Sequence, residues 1–355
     1  MLGKFPRLKV AVSASLVALV SAAGIYLYWA WHHPLNAQAE VYVVEPGTSL
    51  RGLARELYRR GVLSEPYTLT WLGYITGRSR QLKAGEYRFP AGISAAELID
   101  QVVAGRVIKY SLVFPEGWNF RQVMGAVRAA PKLTSTLDGL TPAQIMAHLG
   151  HPHLHPEGRF FPDTYYYSKG HTDAQILSSA FDKMQTALQQ AWNERAPALP
   201  LKSKDEALVL ASIIEKETAR ADERPMIAGV FVNRLRKGMR LQSDPTVIYG
   251  LGAAFDGNLR LRDLHTDTPY NTYTRRGLPP TPIAMPGRDS LVAALHPAET
   301  SALYFVARGD GSHVFSATLE AHSAAVAKYQ LGGNAGGAKA RRGEADPRGN
   351  GSKHE

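Results

Sequence analysis

From Val10 to Trp31 the chain runs for 22 positions without a charged residue. As a helix rising about 1.5 Å per residue this stretch extends about 33 Å, against a bilayer hydrocarbon core of about 30 Å. It predicts one membrane-spanning helix, followed by a part that must fold in water. Lys4, Arg7 and Lys9 precede the run, and Tyr26, Tyr28, Trp29 and Trp31 crowd its far end as an interfacial belt. The positive-inside rule then predicts a cytoplasmic N-terminus over residues 1–9, a span over 10–31, and everything after about residue 32 on the outer side of the membrane. Ala37-Gln38-Ala39 has the form of a signal-peptide cleavage site, so a removed leader is the alternative, although the apolar run is long for one.

The chain has 355 residues, 45% hydrophobic and 20% charged, a globular composition with room for two modest domains or one large one. It has no cysteine, which excludes a disulfide framework, a thiol nucleophile, a lipoprotein anchor and a cysteine-based zinc site. The formal charge is +10, but no basic block or aromatic–basic interleaving lies in the part expected to fold, which argues against a nucleic-acid partner.

"VYVVEPGTSLRGLARELYRRGVL" predicts a strand, a turn at Pro46-Gly47 and a helix from about Ser49. "AGEYRFPAGISAAELIDQVVAG" repeats that order, with a strand near Tyr87, a capping box at Ser94 and Glu97, and a staple between Ile93 and Leu98. Helix starts are expected at Asn119, at Thr141, after Thr172 and at Ser203. From about Asp244 the sequence turns rich in Pro, Gly, Tyr and Asn with little helical periodicity, as in long loops that line a site. From Gln330 there is almost nothing to bury, and residues 330–355 are expected to be a disordered tail. The fold class is therefore α+β: a small α+β module over 40–108, then a mainly helical, loop-rich domain over 109–329.

The helix expected from Ser203 raises a chemical question. With Ala207 at zero and about 100° per residue, its apolar arc runs from Ile213 at about 240° to Leu208 at about 100°. Glu217 falls at about 280°, inside the arc; Glu215, at about 80°, lies nearer the rim, and Lys216 points away. A carboxyl group pressed against hydrocarbon keeps its proton closer to neutral pH and can act as a general acid. The competing reading is a structural ion pair with Arg220, Arg224 or Arg234.

The segments "ASIIEKET", "ER", "VFVNRL", "GMRLQSDPTVIYG", "TPYNTY", "GLPPTPI", "AALHPA", "LYFVA" and "GSHVFSATLEAH" resemble, in order, the endolytic murein transglycosylases, the YceG-like (MltG) family. "PEGW" at Pro115–Trp118 and "EGRFFPDTYYY" at Glu157–Tyr167 fit as well, and the resemblance spans about residues 10 to 329. It implies a LysM-like module before the catalytic region. It also implies cleavage of the β-1,4 bond between N-acetylmuramic acid and N-acetylglucosamine within nascent peptidoglycan, leaving a 1,6-anhydromuramoyl end. The second glutamate of the E-K-E-T motif, Glu217 here, is the implied catalytic residue. No cofactor or metal is implied; the partners are glycan strands, the membrane and the peptidoglycan synthases.

Asp244 opens the Pro/Gly-rich region as either a substrate contact or an Asp-Pro turn. Tyr270, Asn271 and Tyr273 offer rings and an amide suited to sugars. Gln242, Tyr249, Asn233, His296, Glu223 and Asp163 complete the candidates for substrate contact by their places in the quoted motifs. On a continuous helix Glu223 would point away from Glu217, and Pro225 suggests that the helix ends or bends there. His151, His153 and His155 in "HPHLHPEG" stand outside the family pattern and read as a solvated loop rather than a metal site. Two rivals stay open: a non-catalytic glycan-binding scaffold, and a hydrolase in which Asp244 or Asp163 supplies a second carboxylate within about 5 to 9.5 Å of Glu217.

Overall fold

The computed structural model describes residues 5–38 and 40–331. The architecture is mixed α+β and mostly helical. Helix α1 (Phe5–His32) contains the apolar run, and its stretch from Val10 to His32 has the length and hydropathy of a membrane span, with none of its apolar window buried against the rest of the chain. The tail expected to be disordered lies, from residue 332 on, outside the described residues; Gln330 and Leu331 still belong to the helical turn Ala327–Leu331.

Two compact units follow from the contacts within the chain. The first comprises the chain up to Ser111, with Ala130–Thr134 and Tyr166–Thr172. Its elements after α1 are β1 (Val41–Val44), α2 (Leu50–Arg59), α3 (Tyr67–Ile75), β2 (Gly85–Arg88) and α4 (Ala95–Ala104). Strands β1 and β2 pair antiparallel, Val41 opposite Arg88 and Val44 opposite Gly85. The expected capping box at Ser94 and Glu97 starts α4, and the staple residues Ile93 and Leu98 are both buried. Helix α3 is an addition to the expected strand–helix repeat. Its "YTLTWLGYI" shows no polar stripe, because its outer face is aromatic, so periodicity alone does not reveal it. Leu50, Leu57, Tyr87, Phe89, Leu98 and Ile99 form the centre of this unit's core.

The second unit carries the site. Strands β3 (Tyr110–Val113) and β4 (Thr164–Tyr167), each divided between the two units, pair with one another, and between them in the chain lie α5 (Phe120–Ala129) and α6 (Pro142–His148) of this unit. Both helices begin where expected: Asn119 and Gln122 exchange reciprocal bonds, as do Thr141 and Gln144. Then come α7 (Asp173–Asn193), α8 (Lys204–Glu217), α9 (Arg224–Arg236), α10 (Asp244–Leu251), α11 (Leu261–His265), α12 (Arg288–Leu295), the hairpin β5 (Tyr304–Ala307) and β6 (His313–Ser316), and α13 (Leu319–Val326).

Helix α8 is the centre of the core. Every residue from Ala207 to Ile214 is buried, against α7, α9, α10 and α12, so the middle of the helix is enclosed all round rather than on one face. It also ends earlier than the wheel assumed. Thr218 is extended, a short 3-10 turn covers Ala221–Glu223, and Pro225 sits in the first turn of α9, where its missing N–H has no intrahelical partner to lose. Pro225 thus marks a helix start, and Glu223 lies on a different element from Glu217. Likewise the region from Asp244 is not mainly loop: α10 begins with Asp244-Pro245, the same proline start signal, on a sequence too short to show a period.

Gly229 lets α9 approach the chain after α12. A Cβ there would stand 2.6 Å from the Ala298 carbonyl oxygen and 2.8 Å from Thr300 Cγ2. Gly229→Ala is expected to destabilise the protein by roughly 1–3 kcal/mol despite alanine's better helix propensity. A thermal melt of the variant checks this; an unchanged midpoint would mean that the segment yields freely.

Candidate active site

Glu217 is the last residue of α8, partly open on one side and surrounded by protein on the others. Its Oε1 accepts a hydrogen bond of 2.5 Å from Ser243 Oγ. Ser243 is buried and stands just before α10, its N–H donating to Thr272 Oγ1 at 3.0 Å. Gln242, one residue earlier, has φ 53°, in the left-handed region that costs a non-glycine residue roughly 1–2 kcal/mol. Two bonds hold it there: its N–H donates to the Thr272 carbonyl (3.2 Å), and its Oε1 accepts from Arg234 Nη1 (3.1 Å). This turn puts Ser243 against Glu217, and it is an observed strain at the candidate site.

The open side of Glu217 faces a groove of about 500 Å³. Gln242, Asp244 and Tyr273 line it together with Tyr304, His313 of the β5–β6 hairpin and His322 of α13. Tyr273 Oη donates to Asp244 Oδ1 at 2.5 Å. His313 is fixed by Glu223, which accepts from its N–H (2.9 Å) and meets Nδ1 at 2.6 Å.

Burial raises the Glu217 carboxyl from the usual 4.5 to about 7; the Ser243 hydroxyl opposes this, the negative Asp244 adds to it and Arg234 moderates it. The partial negative charge of the carbonyls at the C-terminal end of α8 works in the same direction as burial. None of the three arginines offered as partners forms an ion pair with Glu217. Arg220 pairs with Asp222, and Arg224 with Glu215, Asp289 and Glu116. Arg234 donates to the carbonyls of Leu303, Arg240 and Leu241 and lies over the Tyr304 ring. Glu215 is not at a rim: its side chain is 5% exposed, and it takes up Arg224 and the Gly287 N–H. Both glutamates are therefore enclosed, and what separates them is the partner: a guanidinium for Glu215, a single hydroxyl for Glu217.

Of the sequence candidates, Asp244, Gln242 and Tyr273 share the groove with Glu217. Asn271 does not: it is fully buried, its amide donating to the carbonyls of Leu264 and Thr266 while its Oδ1 accepts the Tyr273 N–H. It builds the loop that presents Tyr273. Asn233 is committed to the carbonyls of Thr300 and Ala302. Tyr249 and Tyr270 pack edge to face at 4.8 Å outside the groove lining, their hydroxyls on Glu157 and Thr281. Asp163 pairs with Lys183, and His296 is exposed at the end of α12; neither lines the groove. Glu223 enters only through His313.

His151 stacks on Phe181 at 3.9 Å, and His155, its pKa lowered by burial, accepts the Glu157 N–H. Among the described residues no three His, Cys, Asp or Glu side chains gather as metal ligands.

Sequence reasoning missed Ser243, the position of Arg234 and the hairpin carrying His313. Only the hairpin had a local signal, Asp310-Gly311 between two short apolar runs. It also passed over Glu157, a buried carboxyl raised by burial to about 7, which accepts the Phe120 N–H at the start of α5 and the Tyr249 hydroxyl.

The model of the YceG-like family matches residues 42–328. The chain belongs to the YceG-like family. Among its curated relatives, the endolytic murein transglycosylase of Bacillus subtilis (strain 168) is 31% identical over 303 residues, 81% of this chain and 83% of that protein. The endolytic murein transglycosylase of Streptococcus pneumoniae serotype 2 is 27% identical over 362 residues, and the match spans only 63% of its length. A YceG-like protein of Listeria monocytogenes, known from a crystal structure, is 30% identical and superposes with a TM-score of 0.51, covering 81% of this chain and 99% of that one. The α+β arrangement described above is thus a YceG-like one.

Proposed function

We propose that this chain is an endolytic lytic transglycosylase of peptidoglycan, cutting the β-1,4 bond between N-acetylmuramic acid and N-acetylglucosamine inside glycan strands, with Glu217 as its one acid and base. The observation that carries the reading is the state of Glu217: at the floor of an open groove, in no ion pair with an arginine, and raised to about 7 so that its proton is available near neutrality. The names of the relatives supply the substrate class.

In the forward step Glu217 gives its proton to the glycosidic oxygen as the bond to C1 breaks and an oxocarbenium-like centre develops. The resulting carboxylate then takes the proton of the sugar's 6-hydroxyl, whose oxygen closes on C1. Glu217 ends protonated, as it began, and no water is consumed. Asp244 shares the groove and is the group that would stabilise positive charge on the ring.

The test is mass spectrometry of purified peptidoglycan digested with the full chain in detergent. Internal fragments ending in 1,6-anhydromuramic acid are expected; uncut strands would favour a binding scaffold. A hydrolytic reading keeps one supporting observation, since Asp244 is a second carboxylate in the same groove. Reducing-end products in place of anhydro ends would establish it.

The pH profile gives a second check. The rate should fall as pH rises through about 7, when Glu217 loses its proton. Ser243→Ala removes the hydroxyl that favours the charged form, so the falling limb should move to higher pH. Asp244→Asn removes a like charge and should move it lower. Two variants shifting the limb in the same direction would break the assignment of that limb to Glu217.

We read α1 as a single membrane span that keeps the groove in the periplasm near emerging strands, with residues 40–108 as a LysM-like module and peptidoglycan synthases as neighbours. The length and hydropathy of α1 support the span.

A further inference from the structure

Helix α3 leaves an aromatic face unpartnered. Tyr67 is 72% exposed, Trp71 65%, Tyr74 53% and Ile75 69%, all on one side of the helix, whereas Leu69 and Leu72 point into the core. Tyr67, Trp71 and Tyr74 border a hollow of about 390 Å³ shared with Arg51 and Arg55 of α2. The nearby Glu56 is taken by Arg59 and Arg60, and among the described residues neither Arg51 nor Arg55 forms an ion pair. Three rings, an isoleucine and two free guanidinium groups make a surface that is apolar and basic at once.

Where this surface lies relative to α1 decides what covers it. The start of α3 meets the end of α1: Glu65, Thr68 and Leu69 line one hollow with Tyr26, Trp29 and His33. Beyond the other end of α3, the Arg78 guanidinium lies 5.8 Å over the Trp31 ring. Both ends of α3 are thus tied to residues 26–33, the aromatic end of the helix read as a span. With α1 read as a span, these contacts would hold α3 at the depth where tyrosine and tryptophan rings sit in the headgroup layer.

We propose that the outer face of α3, with Arg51 and Arg55, docks on the headgroup layer of the bilayer that α1 crosses, and that anionic phospholipid is its ligand. The proposal rests on reading α1 as a membrane span. The rings lie among headgroups and upper acyl chains, Ile75 inserts between them, and the two arginines reach phosphates. A sugar platform fits less well, since these rings project from a convex helix face with no carboxylate or carboxamide among the residues of the hollow. Docking would fix the tilt of the first unit on the membrane instead of leaving it on a free swivel.

The absence of cysteine permits single-site labelling of the full chain. Tyr74→Cys and, separately, Leu19→Cys are labelled with a small polarity-sensitive fluorophore and reconstituted in vesicles of phosphatidylcholine, with or without about 30% phosphatidylglycerol. Iodide quenching is read in each. The expected result is a shielded label at both positions, with quenching at position 74 at least about three-fold weaker in anionic vesicles than in the same protein carrying Arg51→Glu and Arg55→Glu. A shielded label at 19 with a freely quenched label at 74 in both lipid mixtures would overturn the proposal while leaving the span intact. A freely quenched label at 19 would remove the span and the proposal with it. Shielding at 74 that arises only when glycan fragments are added would make the face a sugar platform and overturn lipid docking. Tyr67→Cys, at the other end of the same face, repeats the reading should Tyr74→Cys fold poorly.

Discussion

Glu217→Gln should lower the yield of anhydro ends by a factor of about 10² to 10⁴, the usual share of a positioned acid and base, without loosening the fold. Glutamine keeps the shape and can still accept from Ser243 Oγ, but has no proton to give to the leaving oxygen. The same substitution makes a stability prediction of definite sign. The folded carboxyl holds its proton up to about 7 instead of 4.5, so its contribution to stability is complete below the unfolded value and is lost as pH rises through 7. Glutamine does not titrate. The variant should therefore gain on the parent as pH rises, by up to about 3 kcal/mol above pH 8, and match it near pH 4. Glu157, raised in the same way, remains in both proteins, so the variant should still lose some stability over the same window. The measurements are product analysis and thermal melts at pH 5 and pH 8. An active variant would displace Glu217 from the mechanism, and an inactive variant that melts lower at pH 8 would mean that Glu217 is structural.

Much of this was legible in the sequence, and the rest fails for physical reasons that can be named. Local signals worked: the reciprocal caps at Ser94, Asn119 and Thr141 place three helix starts, because capping is settled within four residues. The apolar run of α1 needed only its length. The helical wheel reached Glu217 on a contrast that is weak along α8, because every residue from Ala207 to Ile214 is buried and exposure returns only towards its ends, as at Asp205 and Lys216. Glu217 stands apart because the helix stops at it and its neighbour Glu215 takes Arg224, and neither fact follows from the period of the helix. Asn271 and Asn233 misled for a related reason. An amide suits a sugar hydroxyl and a loop carbonyl equally, and only the tertiary structure shows which one it meets. The same holds for Ser243, whose contact with Glu217 spans 26 positions and depends on a left-handed Gln242 that no residue preference announces.

Arg234→Ala should be the most damaging single change in the second unit outside its apolar core. Its guanidinium is buried and donates to the carbonyls of Leu303, Arg240 and Leu241 and to Gln242 Oε1, at 2.6, 3.1, 2.8 and 3.1 Å, and it stacks on Tyr304. Truncation leaves these acceptors facing a hole and releases the restraint on the strained Gln242 turn. A loss of roughly 3 kcal/mol or more follows, at the upper range for single substitutions, even with water entering from the groove. Arg234→Lys should recover little, because one ammonium cannot serve carbonyls on both the hairpin and the Arg240–Gln242 turn. Loss of this positive charge should also push the Glu217 pKa higher, since Arg234 is what lowers it after Ser243. Any residual activity should then extend to more alkaline pH while its maximum drops. A melt together with a pH–rate profile tests both parts. A variant as stable as the parent would show that the carbonyls find other donors, and an unmoved alkaline limb would mean that Arg234 holds the groove in shape without setting the charge of its acid.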